Sequence, residues 1–64
     1  MRQNLKQARI DKGMTQQQIA DYLHISLDNY KSIEIGRRSG NFELWDDLED
    51  LFSIHQRILR QNTD

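Results

Sequence analysis

The apolar residues of this 64-residue chain recur three and four positions apart, a spacing typical of α-helices that pack by one face. Five helices are predicted on this basis. The first runs from Arg2 to Lys12, the second from Gln16 to a break at His24, the third from Leu27 towards Gly36, the fourth from about Phe42 to Phe52, and a short fifth carries Ile58 and Leu59. The chain has no internal repeat and no interdomain linker. We therefore expect one all-α domain over residues 1–64, with a frayed tail at 61–64.

Capping residues mark where the helices begin and end. Thr15, followed three residues later by Gln18, matches a capping box that would open the second helix. Ser53 and Gln56 repeat the pattern, so we expect them to open the last helix. The remaining end signals are Ser26 and Asn41 as N-caps and Gly13 as a C-terminal stop.

Four of the predicted helices have a clear candidate buried face. The residues expected in the core are Leu5, Ala8, Ile19, Ala20, Leu23, Tyr30, Ile33, Trp45, Leu48 and Phe52. In the fourth helix, Leu44 and Leu51 fall off this stripe but lie seven positions apart, on one line along the helix. They indicate either a wider buried face or a contact surface for another subunit.

The size and composition argue against several classes of protein. A 64-residue domain buries only roughly 60% of its unfolded surface, which leaves little room for a catalytic cleft, so an enzyme is not expected. The chain has no cysteine, and His24 and His55 lack metal-ligand spacing, so we expect no metal and no cofactor. No apolar run approaches the roughly 20 residues of a membrane span, and the start lacks the apolar stretch of a signal peptide. We expect a cytoplasmic protein.

The charges are divided unevenly along the chain, although the formal net charge is only −1. Residues 1–40 carry seven basic and four acidic side chains, whereas residues 41–64 carry two basic and six acidic ones. Such a division would turn a basic surface towards a polyanion and an acidic surface away from it. The alternative is that both are ordinary solvated faces.

Several short segments carry a resemblance to a known family. They are Leu5-Lys6-Gln7-Ala8-Arg9, Gly13-Met14-Thr15-Gln16, Ile19-Ala20, Ile25-Ser26, and Tyr30-Lys31-Ser32-Ile33-Glu34 with Gly36. In these segments the chain resembles the Cro and lambda-repressor-like helix-turn-helix domains, the XRE family. The resemblance spans residues 5–59 and implies a compact five-helix fold with the helix-turn-helix in the second and third helices.

Individual residues take structural roles from this resemblance. Ala20 would be the small residue that lets the two helices of the unit cross closely. His24 stands where the family usually has glycine and would adopt a left-handed conformation. Arg9 and Glu34 look like the family's pair that ties the first helix to the end of the third.

The resemblance also implies a mode of DNA binding, with the third helix in the major groove. The candidates for base contacts are Ser26, Leu27, Asp28, Lys31 and Ser32. An alternative for Asp28 is that its charge only stabilises the helix N-terminus and would repel phosphate. The candidates for phosphate contacts are Gln16, at the start of the second helix, and Arg37 and Arg38, in the loop after the third.

We therefore expect a sequence-specific DNA-binding regulator, a prokaryotic or phage repressor that binds a palindromic operator in double-stranded DNA as a homodimer. The candidate dimer surface is Leu44, Leu51, Ile58 and Leu59. The alternative is a protein-interaction module that keeps the same fold and binds a protein partner, which the modest net charge and Asp28 favour. A third possibility is a DNA-binding module detached from a larger regulator.

Overall fold

The computed structural model describes residues 1–63, and these residues form five helices and no β-strand. The helices are α1 (Gln3–Asp11), α2 (Gln16–Leu23), α3 (Leu27–Glu34), α4 (Phe42–Phe52) and α5 (Gln56–Leu59). The predicted all-α, five-helix fold is confirmed. In the described part of the chain, no helix is long and apolar enough to cross a membrane.

The predicted caps of α2, α3 and α4 all form. At the start of α2, the Thr15 hydroxyl accepts from the backbone N–H of Gln18 at 3.1 Å, and the Gln18 side chain accepts from the Thr15 N–H at 2.8 Å. Both halves of the capping box are therefore made. The side chains of Ser26 and Asn41 accept a backbone N–H in the same way at the starts of α3 and α4.

The predicted capping box at Ser53 is wrong. Ser53 has a φ of +55° and ends α4 as its C-cap instead of opening α5. The cap of α5 is His55, whose Nδ1 accepts from the backbone N–H of Arg57 at 3.0 Å. The Gln56 side chain donates to the carboxylates of Asp46 and Glu49, so hydrogen bonds to α4 replace the expected bond at the start of α5.

The core is built from the predicted apolar faces, with Trp45 and Tyr30 as its largest buried side chains. Ala20 is completely buried, which agrees with a close crossing of α2 and α3. Leu44 is also buried, so the buried face of α4 is wider than a three-and-four stripe. Phe52 is only half-buried and packs against the edge of the core.

Burial changes the candidate dimer surface. Leu59 is 0% exposed and Leu44 is 7% exposed, so both side chains belong to the core of the single chain and are not free to meet a partner. They were predicted at the surface because helical spacing alone does not separate a second exposed line from a wide buried face. Leu51 is half-buried, and Ile58 keeps 41% of its surface exposed.

The tail predicted to fray runs along the start of the chain. The Thr63 backbone N–H donates to the Met1 carbonyl at 2.7 Å, and the Asn62 side chain accepts from the N-terminal ammonium at 2.6 Å. The Asn4 side chain donates to the Gln61 side chain at 3.1 Å. Asp64 lies outside the described residues, and fraying of residues 61–64 stays a prediction.

The buried hydroxyl of Tyr30 lies beside Arg9 and Glu34, which act on its pKa, but makes no hydrogen bond of good geometry within residues 1–63. Burial, and next the Glu34 carboxylate, raise the pKa of Tyr30, so the hydroxyl stays neutral. A buried hydroxyl without a partner costs free energy that a phenyl ring would not. We therefore expect Tyr30→Phe to leave the free energy of unfolding unchanged or raise it by up to about 1 kcal/mol in urea denaturation.

Tyr22→Phe is the matched control for this substitution, because the Tyr22 side chain is exposed, at 43%, and makes no hydrogen bond within residues 1–63. It should leave the free energy of unfolding unchanged. A loss of more than about 1 kcal/mol in Tyr30→Phe alone would contradict the prediction and reveal a hydrogen bond to that hydroxyl.

His24 ends α2 in the left-handed region, with φ +58° and ψ +41°, as the resemblance implied. Histidine has a Cβ that disfavours this conformation, and glycine does not. His24→Gly should therefore raise the free energy of unfolding by about 1 kcal/mol, whereas His24→Ala should not raise it. Chemical denaturation of the three proteins measures the difference.

Gly13→Ala is the reciprocal measurement. Gly13 ends α1 at φ +70°, and a Cβ built there meets no atom within 4 Å, so backbone strain is the only expected effect. The free energy of unfolding should fall by about 1 kcal/mol. If the glycine and alanine forms have equal free energies of unfolding at both positions, left-handed backbone strain does not contribute to the stability of these turns.

Candidate nucleic-acid interface

The outer edge of α3 presents the residues predicted to face bases. Asp28 and Lys31 are exposed, while Leu27 and Ser32 are half-buried at the sides of the helix. Ser26 is exposed as well, but its hydroxyl accepts the Asn29 N–H and caps the helix. The opposite face of α3 is buried against the rest of the domain. The five candidates therefore lie along the accessible side and the first turn of one short helix.

The two arginines of the loop follow directly from the end of α3. The backbone N–H groups of Arg37 and Arg38 both donate to the Ser32 carbonyl, at 2.8 and 3.2 Å, so the loop turns back on the last turn of the helix. Gly36 allows this turn, with a φ of +90°. Both arginine side chains are exposed. This loop brings two positive charges to the C-terminal end of the candidate recognition helix.

Gln16 occupies the first position of α2. Its side chain is half-buried and makes no hydrogen bond to any of residues 1–63, because the capping box uses Thr15 and Gln18 instead. A free amide group beside the N-terminal N–H groups of a capped helix can donate to an anion. Gln16 therefore remains a candidate for a phosphate contact.

The pair that the resemblance implied between α1 and α3 is formed. Arg9 donates to Glu34 through two parallel bonds, Nε to Oε2 at 3.0 Å and Nη2 to Oε1 at 3.1 Å. The Glu34 side chain is 1% exposed, so this carboxylate depends on the arginine for its charge partner. The bond to Glu34 is also the main reason why the pKa of Arg9 is raised. A third Arg9 bond, from Nη1 to the Met14 carbonyl, joins the pair to the start of the helix-turn-helix.

Arg2 makes a second attachment at the same end of α3, and sequence reasoning missed it. The Arg2 guanidinium donates to the carbonyls of Ile33 and Arg38, and its Nε donates to the carbonyl of Arg60 at 3.1 Å. The Arg2 backbone N–H adds a bond to the Glu34 carbonyl at 2.8 Å. A positive charge that satisfies the last carbonyls of a helix also interacts favourably with the helix dipole.

The indole of Trp45 completes this attachment. The Arg2 guanidinium lies 5.2 Å from the centre of the Trp45 ring and the Arg60 guanidinium lies 5.9 Å from it. The ring's Nε1 donates to the Ser39 carbonyl at 2.7 Å, which holds the loop after α3. Burial, and next the positive charge of Arg60, lower the pKa of Arg2. The carbonyls and the aromatic ring therefore compensate a guanidinium that pairs with no carboxylate of residues 1–63.

One signal in the sequence pointed to Arg2. It lies three residues before Leu5 and six before Ala8, on the line of the buried face of α1. Arginine is seldom fully buried, so a terminal arginine in that register is easily assigned to solvent.

Among residues 1–63 there is no group of three or more histidine, cysteine, aspartate or glutamate side chains that could hold a metal ion.

Arg2→Ala should lower the free energy of unfolding by about 2–4 kcal/mol, because it leaves buried carbonyls without a donor and the Trp45 ring without its closer cation. Arg2→Lys should recover only part of the loss, since an ammonium lacks the forked geometry that spans several carbonyls. Thermal and urea denaturation of the purified variants measures both.

Arg60→Ala is the control, since Arg60 lies over the same ring but its side chain is exposed and makes no hydrogen bond within residues 1–63. It should cost less than about 1 kcal/mol. Equal losses for Arg2→Ala and Arg60→Ala would mean that stacking on Trp45, and not the carbonyl bonds, accounts for the role of Arg2.

Comparison with known proteins agrees with this geometry. A family model described as "Helix-turn-helix" matches residues 5–55, well over half of the chain, and includes α2, α3 and the loop that carries Arg37 and Arg38. Searches of curated proteins and of solved structures returned no significant match. The matched family consists of DNA-binding regulators that are typically not enzymes. The chain therefore belongs to the XRE family of helix-turn-helix DNA-binding regulators, the lambda-repressor and Cro-like domains.

Proposed function

We propose that this protein is a sequence-specific repressor that occupies a palindromic DNA operator as a homodimer, in the cytoplasm of a prokaryotic or phage-infected cell. The observation that carries the proposal is the arrangement around α3. Its exposed edge ends in a loop whose two arginines are turned back onto the helix by bonds to the Ser32 carbonyl. A helix that carries base-reading side chains and ends in phosphate-binding charge suits the major groove.

Base recognition is assigned to the outer edge of α3. The exposed Lys31 can donate to the O6 and N7 acceptors of guanine, and the half-buried Leu27 can pack on a thymine methyl group. Asp28 can accept from the N4 of cytosine, and Ser32 can donate or accept. Ser26 keeps its bond to the Asn29 N–H, so its contribution is to hold the first turn of α3 in position.

Phosphate contacts are assigned to three donors outside that edge. Gln16 would bind one strand at the start of α2, with support from the N-terminal N–H groups of that helix. Arg37 and Arg38 would bind phosphates beside the groove. These contacts set affinity and register, whereas α3 sets sequence preference.

Homodimer formation is proposed because one module of this size buries little DNA surface, and two modules one helical turn apart add affinity and register. With Leu44 and Leu59 in the core, the proposed dimer surface retains Ile58 and Leu51. A dimer seated on its operator would exclude other proteins from the same duplex, which is the basis for proposing repression.

A protein-interaction module is the second candidate function. Four acidic side chains lie exposed on α4: Glu43, Asp46, Asp47 and Asp50. A surface of this charge favours a basic protein partner and repels DNA. Under this alternative the same fold would show weak or no binding to DNA.

Selection of bound fragments from a random duplex pool tests the proposal. We expect a palindromic consensus with half-sites whose centres lie about 10 base pairs apart, one helical turn, or a multiple of that distance. Sedimentation with the selected duplex should show two chains bound, and Ile58→Ser should weaken the binding of the second chain. Recovery of no sequence above background would favour the interaction module.

Salt dependence tests the phosphate-binding residues separately. The logarithm of the binding constant should fall steeply with the logarithm of the salt concentration, and Arg37→Ala with Arg38→Ala should reduce the slope by up to about 0.9 for each phosphate that is no longer bound. Lys6→Ala with Lys12→Ala removes the same charge from the first helix and its C-terminal end and is the matched control. The assignment of the loop fails if both double variants change the slope equally.

A further inference from the structure

A cleft of about 490 Å³ lies beside the attachment of α3 and is not used by the proposed recognition edge. Its walls come from three parts of the chain: Arg2 before α1, Ser39 in the loop after α3, and His55, Arg57 and Arg60 around α5. We call it the arginine cleft. Arg57 and Arg60 are the only arginine or lysine residues of the acidic C-terminal segment, residues 41–64, and both line this cleft together with Arg2.

The positive charge of the arginine cleft has no counter-charge in the described part of the chain. No aspartate or glutamate of residues 1–63 lines it. The side chains of Arg57 and Arg60 make no hydrogen bond or ion pair to any of these residues, and Arg60 only lies over the Trp45 ring. The carboxylates of Asp46 and Glu49 bind the amide of Gln56 instead.

Two of the three guanidinium groups have defined positions. Arg2 is 7% exposed and is held by backbone carbonyls, and Arg60 lies over the same indole ring. The mutual repulsion of these two charges contributes to the lowered pKa of Arg2. An anion placed between them would relieve that repulsion. Donors fixed before the ligand arrives also lose little conformational entropy on binding.

We propose that the arginine cleft binds phosphate oxygens. Guanidinium groups bind oxyanions through paired N–H donors, and several of them together suit phosphate. Ser39 belongs to the same loop as Arg37 and Arg38, so a duplex seated on that loop would bring its flanking backbone near the cleft. The inference that DNA supplies these phosphates rests on the proposed function. A free phosphate or a small phosphorylated ligand is the other source of the same chemistry.

The first arm of the test measures DNA binding by the full chain and compares the slope of the logarithm of the binding constant against the logarithm of the salt concentration. Arg57→Gln with Arg60→Gln should reduce the slope by about 0.9 for each phosphate that these arginines bind. Between 50 and 200 mM salt, the fall in affinity should therefore be about 3- to 12-fold smaller than in the unmodified chain. Lys6→Gln with Lys12→Gln is the charge-matched control, since neither lysine lines the cleft, and it should leave a larger slope. A thermal melt of each variant confirms that it is folded.

The second arm titrates inorganic phosphate and then pyrophosphate into the DNA-free protein at constant ionic strength, followed by amide NMR. Saturable shifts at Ser39 and Arg60 that disappear in Arg57→Gln with Arg60→Gln would identify a site for free phosphate. A changed DNA slope without such shifts would identify backbone phosphate as the ligand.

The two arms also separate this inference from the proposed function. If the protein binds no DNA, the proposed function fails, and the phosphate titration still decides whether the cleft binds phosphate. The inference is overturned if the titrations show no saturation and the DNA slope of the cleft variant equals that of the lysine control. A change confined to self-association of the chain would also overturn it, because the arginines would then contact a second copy.

Discussion

The buried ion pair between Arg9 and Glu34 is the constraint on which the position of α3, the proposed recognition helix, depends. Glu34 is the last residue of α3, and its carboxylate is almost fully removed from water. Loss of one partner from such a pair costs about 3–5 kcal/mol, because a buried charge is left uncompensated. That is a large part of the roughly 5–15 kcal/mol that stabilises an ordinary domain. The geometry of the end of α3 is thus tied to the folding of the whole chain.

This dependence follows from the shortness of α3. A helix of eight residues is only about two turns and is not stable on its own, so tertiary contacts must set its position. The buried face fixes α3 against α2, while Arg9 of α1 and Arg2, just before α1, hold its C-terminal end. The outward edge is then free to carry exposed side chains, Asp28 and Lys31, that the core does not require. The side chains of the proposed DNA-reading edge can therefore change without loss of the scaffold that positions them.

Local signals predicted most of the fold because helix ends and faces are determined by neighbouring residues. The capping box at Thr15, the left-handed turn at His24 and the bounds of α4 all follow from short patterns. The errors arose where a distant contact decided the outcome. Ser53 is a C-cap and not an N-cap, because Gln56 binds a carboxylate of α4 and does not return to Ser53. Leu59 lies in the core because α5 packs on both α1 and α4. Arg2 was missed for the same reason, since its partners lie 31 to 58 residues away.

The loop after α3 shows how a chain with a net charge of −1 can still present a defined basic surface. Three distant groups hold its backbone: Arg2 donates to the Arg38 carbonyl, Trp45 donates to the Ser39 carbonyl, and the Asn62 side chain donates to the Gly36 carbonyl at 3.4 Å. These bonds engage backbone atoms and leave the side chains of Arg37 and Arg38 exposed. A loop already ordered in the free protein loses less entropy when it meets a ligand than a mobile one. Local charge held in a fixed geometry, and not the total charge of the chain, therefore decides where this domain can bind a polyanion.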